Sequence, residues 1–366
     1  MKTDRIAHLY ADPGPFATAY VEVSRDREHG DNIAELGARA ACDQLAAQGA
    51  PESVVKEVFV LLSEDTHLPA PVSRCVVATE AGVLLDELVL TSRPQPVGVW
   101  DALPQLSDWI TDEDSTIPFV LALVDHEGGD VRSYRTHQIT PDEDSTVGGE
   151  TEFEHKIRGG GWGHLRYQHR SENVWRRNAA DVAEEVQQQV SHGADLVLLA
   201  GDPQSCVQVT ELLGDLRAEL VQLKSGGRNA DGGEEALQHA ITEALYQAVV
   251  QRKLAQVHEL RDRLGRDYAV AIGVDDVVDA FVRGQVDRLL IDPAQAGEFE
   301  VKPEQHPGLA LGAVSGLPAA VPADRALVAA AALTGADVVV TRSSTIGGAP
   351  AAGLLRWDQQ ANGSRL

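Results

Sequence analysis

The residues best suited to chemistry in this chain crowd into one stretch, Arg158-Gly159-Gly160-Gly161-Trp162-Gly163-His164-Leu165-Arg166-Tyr167-Gln168-His169-Arg170. Gly159, Gly160, Gly161 and Gly163 leave Trp162 as the only sizeable side chain in their run. Glycine reaches positive φ at little cost and lets another backbone come close. Trp162 offers a flat face that can stack on a nucleic-acid base, an interaction worth about 1–3 kcal/mol, and an indole N–H that only donates. His164 has the residue type of a general base, with an ordinary pKa of about 6.5, but nothing adjacent in the sequence orients it. Arg158, Arg166, Arg170, Arg176 and Arg177 are phosphate-binding residue types. Between His155 and Asn178 six Lys and Arg residues stand against one acid, Glu172, in a chain whose net charge is −25. A positive island on so acidic a chain points to a directed contact with phosphate or another anion. A surface loop leading into a solvated helix is the plainer reading of the same residues, because glycine-rich signals are weak by themselves.

The surrounding pattern says what must hold this stretch. No alternating or helical apolar period runs through it, which predicts a loop. A helix is expected to open near Ser171 as N-cap and to stop at Gly193, with Val182, Val186 and Val190 on its apolar face. Asp195 to Ala200 is a continuous apolar run of the kind buried on both faces of a sheet. Gly201-Asp202-Pro203 turns the chain, and a helix over Ser205 to Leu213 and a strand over Glu219 to Leu223 follow. Upstream, Phe119 to Asp125 and Asp130 to Arg135 flank Gly128-Gly129 as a hairpin. The acidic Pro141 to Asp144, with Gly148-Gly149, reads as a flexible link into the glycine stretch. Strand, helix and strand at this spacing predict an α/β sheet.

The flanks complete the organisation. A chain of 366 residues holds two or three domains, and 43% hydrophobic content is ample for packed cores. Residues 1–112 read as an α+β domain: a strand over Phe16 to Val23, a helix over Asn32 to Ala47 with Ile33, Leu36, Ala40 and Leu45 near one apolar face, and a hairpin of Arg74 to Ala78 with Val83 to Leu90. Residues 113–230 form the middle domain. Residues 231–366 begin with a helix over Glu234 to Leu264, its stripe running from Leu237 through Ala248 to Leu254, Val257 and Leu260, and continue as a compact α-β-α domain.

Several functional classes fall away. There is no apolar run of about 18 residues, so no membrane span is expected, and Met1 to Arg5 leads into no apolar signal segment. Cys42, Cys75 and Cys206 match neither a disulfide framework nor a zinc ribbon, which favours a reducing cytoplasm. His155, His164, His169 and His192 lack metal-ligand spacing. Gly226-Gly227 and Gly232-Gly233 make neither a Walker nor a dinucleotide loop, so no cofactor is expected. The acidic balance argues against broad nucleic-acid coating and leaves no case for DNA.

With this order laid out, the chain resembles the archaeal and eukaryotic class-I release-factor superfamily, Pelota included, in its bacterial branch. The resemblance is strongest from about Asp130 onward. It rests on GGGWGHLRYQHR, similar to the family's GGQ loop and basic segment, on KSGGRNADGGEEALQHAI before the long helix, and on AIGVDDVVDAFVRGQVDRLLI with ALTGADVVV and GLLRW. The resemblance implies three domains: an N-terminal domain on the decoding side, a middle RNase H-like domain carrying the glycine loop to the peptidyl-transferase centre, and a C-terminal domain similar to kink-turn-binding ribosomal proteins. It also implies the 70S ribosome as partner, through its A site and its 23S and 16S rRNA, with elongation factor Tu as a companion.

The departure from the family pattern is as informative. The release motif needs Gln after its glycine pair, and here that place falls on Trp162, or on His164 if the extra glycine is skipped. The missing Gln argues against Gln-dependent release, and the resemblance to the family's bacterial members implies the favoured reading, a hibernation or stress factor that occupies the A site of idle ribosomes. In it Arg158, Gly159, Gly160, Gly161, Trp162, Gly163, His164, Arg166, Arg170, Arg176 and Arg177 contact rRNA. The alternative is a peptidyl-tRNA hydrolase of ribosome rescue, with His164 catalytic. An acidic protein that kept the fold for another partner is the third reading.

Overall fold

The computed structural model describes residues 1–25, 30–68, 71–93, 95–134, 142–148, 162–224 and 234–357, with the backbone path alone at 31, 148, 162–175 and 234. The chain is a mixed α/β protein that divides into two compact units, Met1–Ser115 with Arg252–Leu366, and Thr116–Gln251.

The first unit begins with the short helix α1 (Asp4–Ala7), then β1 (Phe16–Glu22), α2 (Gly30–Ala47), α3 (Glu52–Ser63), β2 (Ser73–Thr79), β3 (Gly82–Val89), β4 (Val97–Asp101) and α4 (Ser107–Glu113). The strands form an antiparallel sheet in the order β3-β2-β1-β4, with Tyr20 opposite Cys75. Helices α2 and α3 bury one face of it through Ala38, Leu45, Val54, Val58 and Leu62 against Val21 and Val76. The expected inward face of α2 is corrected here. Ala34, Ala38, Ala41 and Leu45 are buried, whereas Ile33 and Leu36 are 60% and 64% exposed. A row of alanines lets the helix lie closer to the sheet than larger side chains would, and at Gly98 of β4 a Cβ would come 2.1 Å from the Ala41 carbonyl oxygen.

The second unit contains β5 (Phe119–Asp125), β6 (Gly128–Tyr134), β7 (Glu143–Gly148), α5 (Trp162–Ser191), β8 (Leu196–Gly201), α6 (Pro203–Leu213), β9 (Glu219–Gln222) and the first part of α7 (Glu234–Gly265). Its sheet has the order β7-β6-β5-β8-β9, with β5, β8 and β9 parallel and the β5–β6–β7 side antiparallel. Val182, Val186, Cys206 and Val209 cover one face, and Leu237, Ile241, Leu245 and Ala248 cover the other. The interior strand β8 is buried throughout except at Gly201, as its apolar run requires.

Two expectations are overturned in this unit. The acidic link is a strand, because the backbone of Glu143–Gly148 pairs antiparallel with β6, setting Val147 opposite Gly129. The glycine stretch is not loop through Arg170, and position 171 lies inside the helix rather than at its start, because the helix already runs from Trp162. After Gly163 no glycine or proline interrupts the segment, and Leu, Arg and Gln are good helix formers.

The remainder of the first unit supplies the end of α7, then β10 (Val270–Ile272), α8 (Val274–Val282), β11 (Val286–Ile291), α9 (Pro293–Ala296), β12 (Glu300–Val301), β13 (Val321–Pro322), α10 (Ala323–Thr334), β14 (Asp337–Val340) and β15 (Ala351–Leu355). The main sheet here has the order β10-β15-β11-β14, with β11 and β14 parallel. Residues of α8 and α10 pack on one face, and Leu260 of α7 packs on the other with Leu290, Val339 and Leu354. Leu254, expected in the α7 stripe, is 44% exposed, whereas Val257 and Leu260 are buried. Asp114 ties the unit together: its carboxylate accepts the Val340 N–H at 2.9 Å and pairs with Lys253 Nζ at 3.1 Å.

Cys42, Cys75 and Cys206 are buried free thiols, and burial pushes Cys42 and Cys206 up to about 11. Among the described residues no helix is long and apolar enough to cross a membrane.

Candidate functional site

The basic stretch enters the described structure at Trp162, the first residue of the 30-residue helix α5. Arg158, Gly159, Gly160 and Gly161 lie outside the described residues, as do 225–233 of the second glycine-rich run. Trp162, Gly163, His164, Arg166 and Arg170 fall in the first three turns of the helix. At about 100° per residue, positions 162, 166, 170 and 177 follow one another along one line of the helix. Position 164 lies roughly half a turn away from 162. Arg176 and Arg177 are exposed.

Immediately after these arginines the helix is clamped to the sheet. Asn178, 2% exposed, donates from Nδ2 to the carbonyl oxygen of His126 at 3.2 Å. Val182 and Val186 are fully buried beyond it. Gly129 makes room for this approach, since a Cβ there would stand 2.9 Å from Val182 Cγ2. The Gly128-Gly129 pair thus does more than turn a hairpin: Gly128 has φ +146, and Gly129 admits the helix that carries the arginines. Farther along, Gln189 Nε2 donates to Glu143 of β7 at 2.7 Å.

The same end of the sheet gathers a constellation that sequence reading missed. His126 follows β5, and Asp202 and Ser205 follow β8, so the carboxyl ends of two neighbouring parallel strands bring them together. Ser205 Oγ lies 3.3 Å from His126 Nδ1 and donates to Asp202 Oδ2 at 3.1 Å, and His126 Nε2 is 3.7 Å from the same carboxylate oxygen. The residue types are those of a nucleophile, base and orienting acid, but the wiring is different. In a catalytic arrangement the serine proton goes to the imidazole. Here Asp202 is the N-cap of α6, taking the Ser205 N–H at 2.8 Å and its hydroxyl, and Ser205 is 4% exposed. The cluster is a helix cap beside a histidine, with no accessible nucleophile. Its only signal in the sequence was the position of His126 and Asp202 just past two apolar runs.

Burial acts to raise the Asp202 pKa, but hydrogen bonds from the Ser205 amide and hydroxyl, with nearby His126, outweigh it and hold the carboxyl below its usual value. Because the folded-state pKa is depressed, the stabilisation is full above the unfolded value of 3.8 and fades as pH falls through the lower folded value. Asp202→Ala is expected to cost about 1 kcal/mol at neutral pH. In urea titrations the gap between the two proteins should close in strong acid; a gap that persists there would assign the loss to packing.

Among the described residues no group of three His, Cys, Asp or Glu side chains is placed to hold a metal.

Residues 118–266 match the family described as bacterial archaeo-eukaryotic release factor family 2. The segment over these residues is release-factor-like. The match spans the sheet of the second unit, the basic helix α5 and all of α7. The chain is also 26% identical over 309 residues to the uncharacterized proteins Rv2629 and MT2704 of Mycobacterium tuberculosis (strains ATCC 25618 / H37Rv and CDC 1551 / Oshkosh), covering 82% of this chain and 80% of each relative. Among solved structures, archaeal Pelota, in a ribosome-bound model with ABCE1, is similar at 14% identity and a TM-score of 0.42, over 97% of this chain and 93% of that one. Dom34 of S. cerevisiae, a translation termination-like factor, is similar at 8% identity and a TM-score of 0.43, over 79% of this chain and 81% of that one.

Proposed function

We propose that this release-factor-like chain binds the ribosome and occupies the A site of idle ribosomes during stress, without Gln-dependent peptide release. The observation that carries the reading is the residue content of the glycine stretch. Where the family's release motif places Gln, this chain has Trp162 or His164, embedded in a basic run on a protein of net charge −25. A tryptophan cannot reproduce the small polar group needed beside an attacking water, but it stacks well on an exposed base. Positions 162, 166, 170 and 177 share one line of α5, as a helix edge laid along a phosphate backbone requires. In this reading Arg158 and Gly159 to Gly161 lead into the peptidyl-transferase centre. Arg166, Arg170, Arg176 and Arg177 neutralise phosphates of 23S rRNA, the N-terminal domain faces 16S rRNA at the decoding side, and elongation factor Tu is the companion.

The test is to mix the purified protein with vacant ribosomes and with ribosomes holding peptidyl-tRNA, and to follow co-sedimentation and peptide release together. Stable binding to vacant ribosomes with no release is the expected result. Rapid release that disappears in His164→Ala would overturn it and make the protein a peptidyl-tRNA hydrolase.

A further inference from the structure

Twelve large hydrophobic side chains are exposed among the described residues, and five of them stand at one end of the β10-β15-β11-β14 sheet of the first unit. Leu264 lies in the last turn of α7, Tyr268 precedes β10, Val282 closes α8, Leu333 lies in the last turn of α10, and Trp357 follows β15. Each is between 37% and 52% exposed.

One run of hydrogen bonds ties their neighbours together. The Tyr268 N–H donates to the Arg263 carbonyl at 3.0 Å, and the Leu355 N–H donates to the Ala269 carbonyl at 2.9 Å. The Arg263 guanidinium donates to the Leu355 carbonyl at 2.8 Å. Arg356 reaches the carbonyls of Thr334 and Gly335 at 3.1 and 3.2 Å, and that of Gly284 at 3.4 Å. Each of the five apolar residues lies within two positions of a residue in this run. They therefore share one region of the surface, and a shared apolar region with a polar rim marks an interaction site where single exposed hydrophobes do not. The backbone around Tyr268 is strained as well. Asp267 and Ala269 have φ +48 and +51, which side-chain-bearing residues adopt rarely. Glycine at either position would relieve the strain, yet it is held on both sides of an exposed tyrosine.

The charge of the region narrows the occupant. Residues 261–268, 282–288, 333–337 and 355–357 contain six arginines and four aspartates, a net +2 in a chain of −25. Arg261, Arg266 and Arg283 are exposed and have no ion-pair partner among the described residues; Arg283 donates only to Gln285 Oε1, at 2.7 Å. Unpaired cations beside apolar surface select a ligand that brings both negative charge and an apolar face. RNA fits this less well than protein, because Leu264, Val282 and Leu333 are aliphatic and offer no ring on which a base can stack. A second copy meeting the region face to face would set the same arginines against one another.

We infer that this end of the sheet docks an acidic amphipathic segment of a partner protein, its apolar face against Tyr268 and Trp357 and its carboxylates toward Arg266 and Arg283. The inference is independent of ribosome binding.

Fluorescence anisotropy of the full chain tests it with a labelled helical peptide of about 18 residues, leucine on one face and glutamate on the other. The companion probes are a leucine–lysine peptide of the same pattern, a serine–glutamate peptide without the apolar face, and a labelled single-stranded RNA of about ten nucleotides. Saturable binding of the leucine–glutamate peptide is expected, about tenfold or more tighter than that of each companion. Tyr268→Ser with Trp357→Ser, and Arg266→Glu with Arg283→Glu, should each weaken it by about tenfold or more. All four side chains are exposed, so the unfolding midpoints should stay close to that of the wild type. Equal or tighter binding of the leucine–lysine peptide would reduce the effect to attraction by an acidic protein. Tighter binding of the RNA would make the region a nucleic-acid surface, and self-association lost in the Tyr268 and Trp357 variant would make it a contact between copies. Each of these overturns the proposal, as would affinity unchanged in both double variants or no saturable binding of the leucine–glutamate peptide.

Discussion

Exchanging Arg166 and Arg170 together for glutamate is expected to weaken binding to vacant ribosomes by about a hundredfold or more at moderate salt. Each arginine, in the proposed reading, neutralises one phosphate and releases its counterion. The reversal removes that gain and sets a carboxylate against the same phosphate. Binding should therefore change in two readouts. The affinity falls, and the slope of log affinity against log salt becomes shallower by roughly one for each phosphate no longer neutralised. The neutral pair Arg166→Gln and Arg170→Gln should fall between wild type and the reversal, because it removes the positive charge without adding repulsion. Fluorescence titration over about 50–200 mM salt separates the three. Affinity insensitive to both salt and charge reversal would remove phosphate neutralisation from the account. The acidity of the rest of the chain sharpens the comparison, since little else on a protein of net charge −25 draws it toward RNA without direction.

Gly201→Ala is expected to be the most destabilising small change in the second unit, at about 4 kcal/mol. Two costs coincide there. Gly201 has φ +131, which side-chain-bearing residues rarely adopt, and an added Cβ would stand 1.9 Å from the Val124 carbonyl oxygen. That oxygen accepts the Asp202 N–H at 2.9 Å, at the point where parallel strands β5 and β8 both end. Relieving the clash therefore means parting those strands or losing that bond, with His126 and the Asp202 cap of α6 beside it. Gly193→Ala is the matched control. Gly193 has φ +111, but nothing lies within 4 Å of its added Cβ, so only the backbone strain is charged. Hydrogen exchange should show loss of protection over β5, β8 and α6 in Gly201→Ala and a much smaller change in Gly193→Ala. Equal effects would mean that φ alone governs both positions.

Element identity was legible in the sequence wherever the determinant was local. The run from Leu196 to Ala200 is apolar because both faces of its strand are covered, and that condition writes itself into consecutive residues. The hairpin of β2 and β3 was likewise readable from its turn residues. The release-factor-like middle segment was visible for the same reason, since its glycine stretch, basic run and long helix are each contiguous.

Where partners come from afar, local reading failed. Glu143-Asp144 look like solvated linker residues, and only pairing with β6 makes them strand, because the ladder bonds come from another segment. Ile33 and Leu36 look inward on hydrophobicity, yet close approach of α2 to the sheet selects the alanine row instead. Glycines before Trp162 masked a helix whose later residues favour it. The candidate site divides in the same way. Its charge and its missing glutamine are properties of one short stretch. The clamp of Asn178 on His126 spans 52 residues, and the contact of Ser205 with His126 spans 79. No periodicity or spacing encodes contacts of that separation. They arise because parallel strand ends and packed helices bring distant side chains to one place, and only the tertiary structure decides which of them meet.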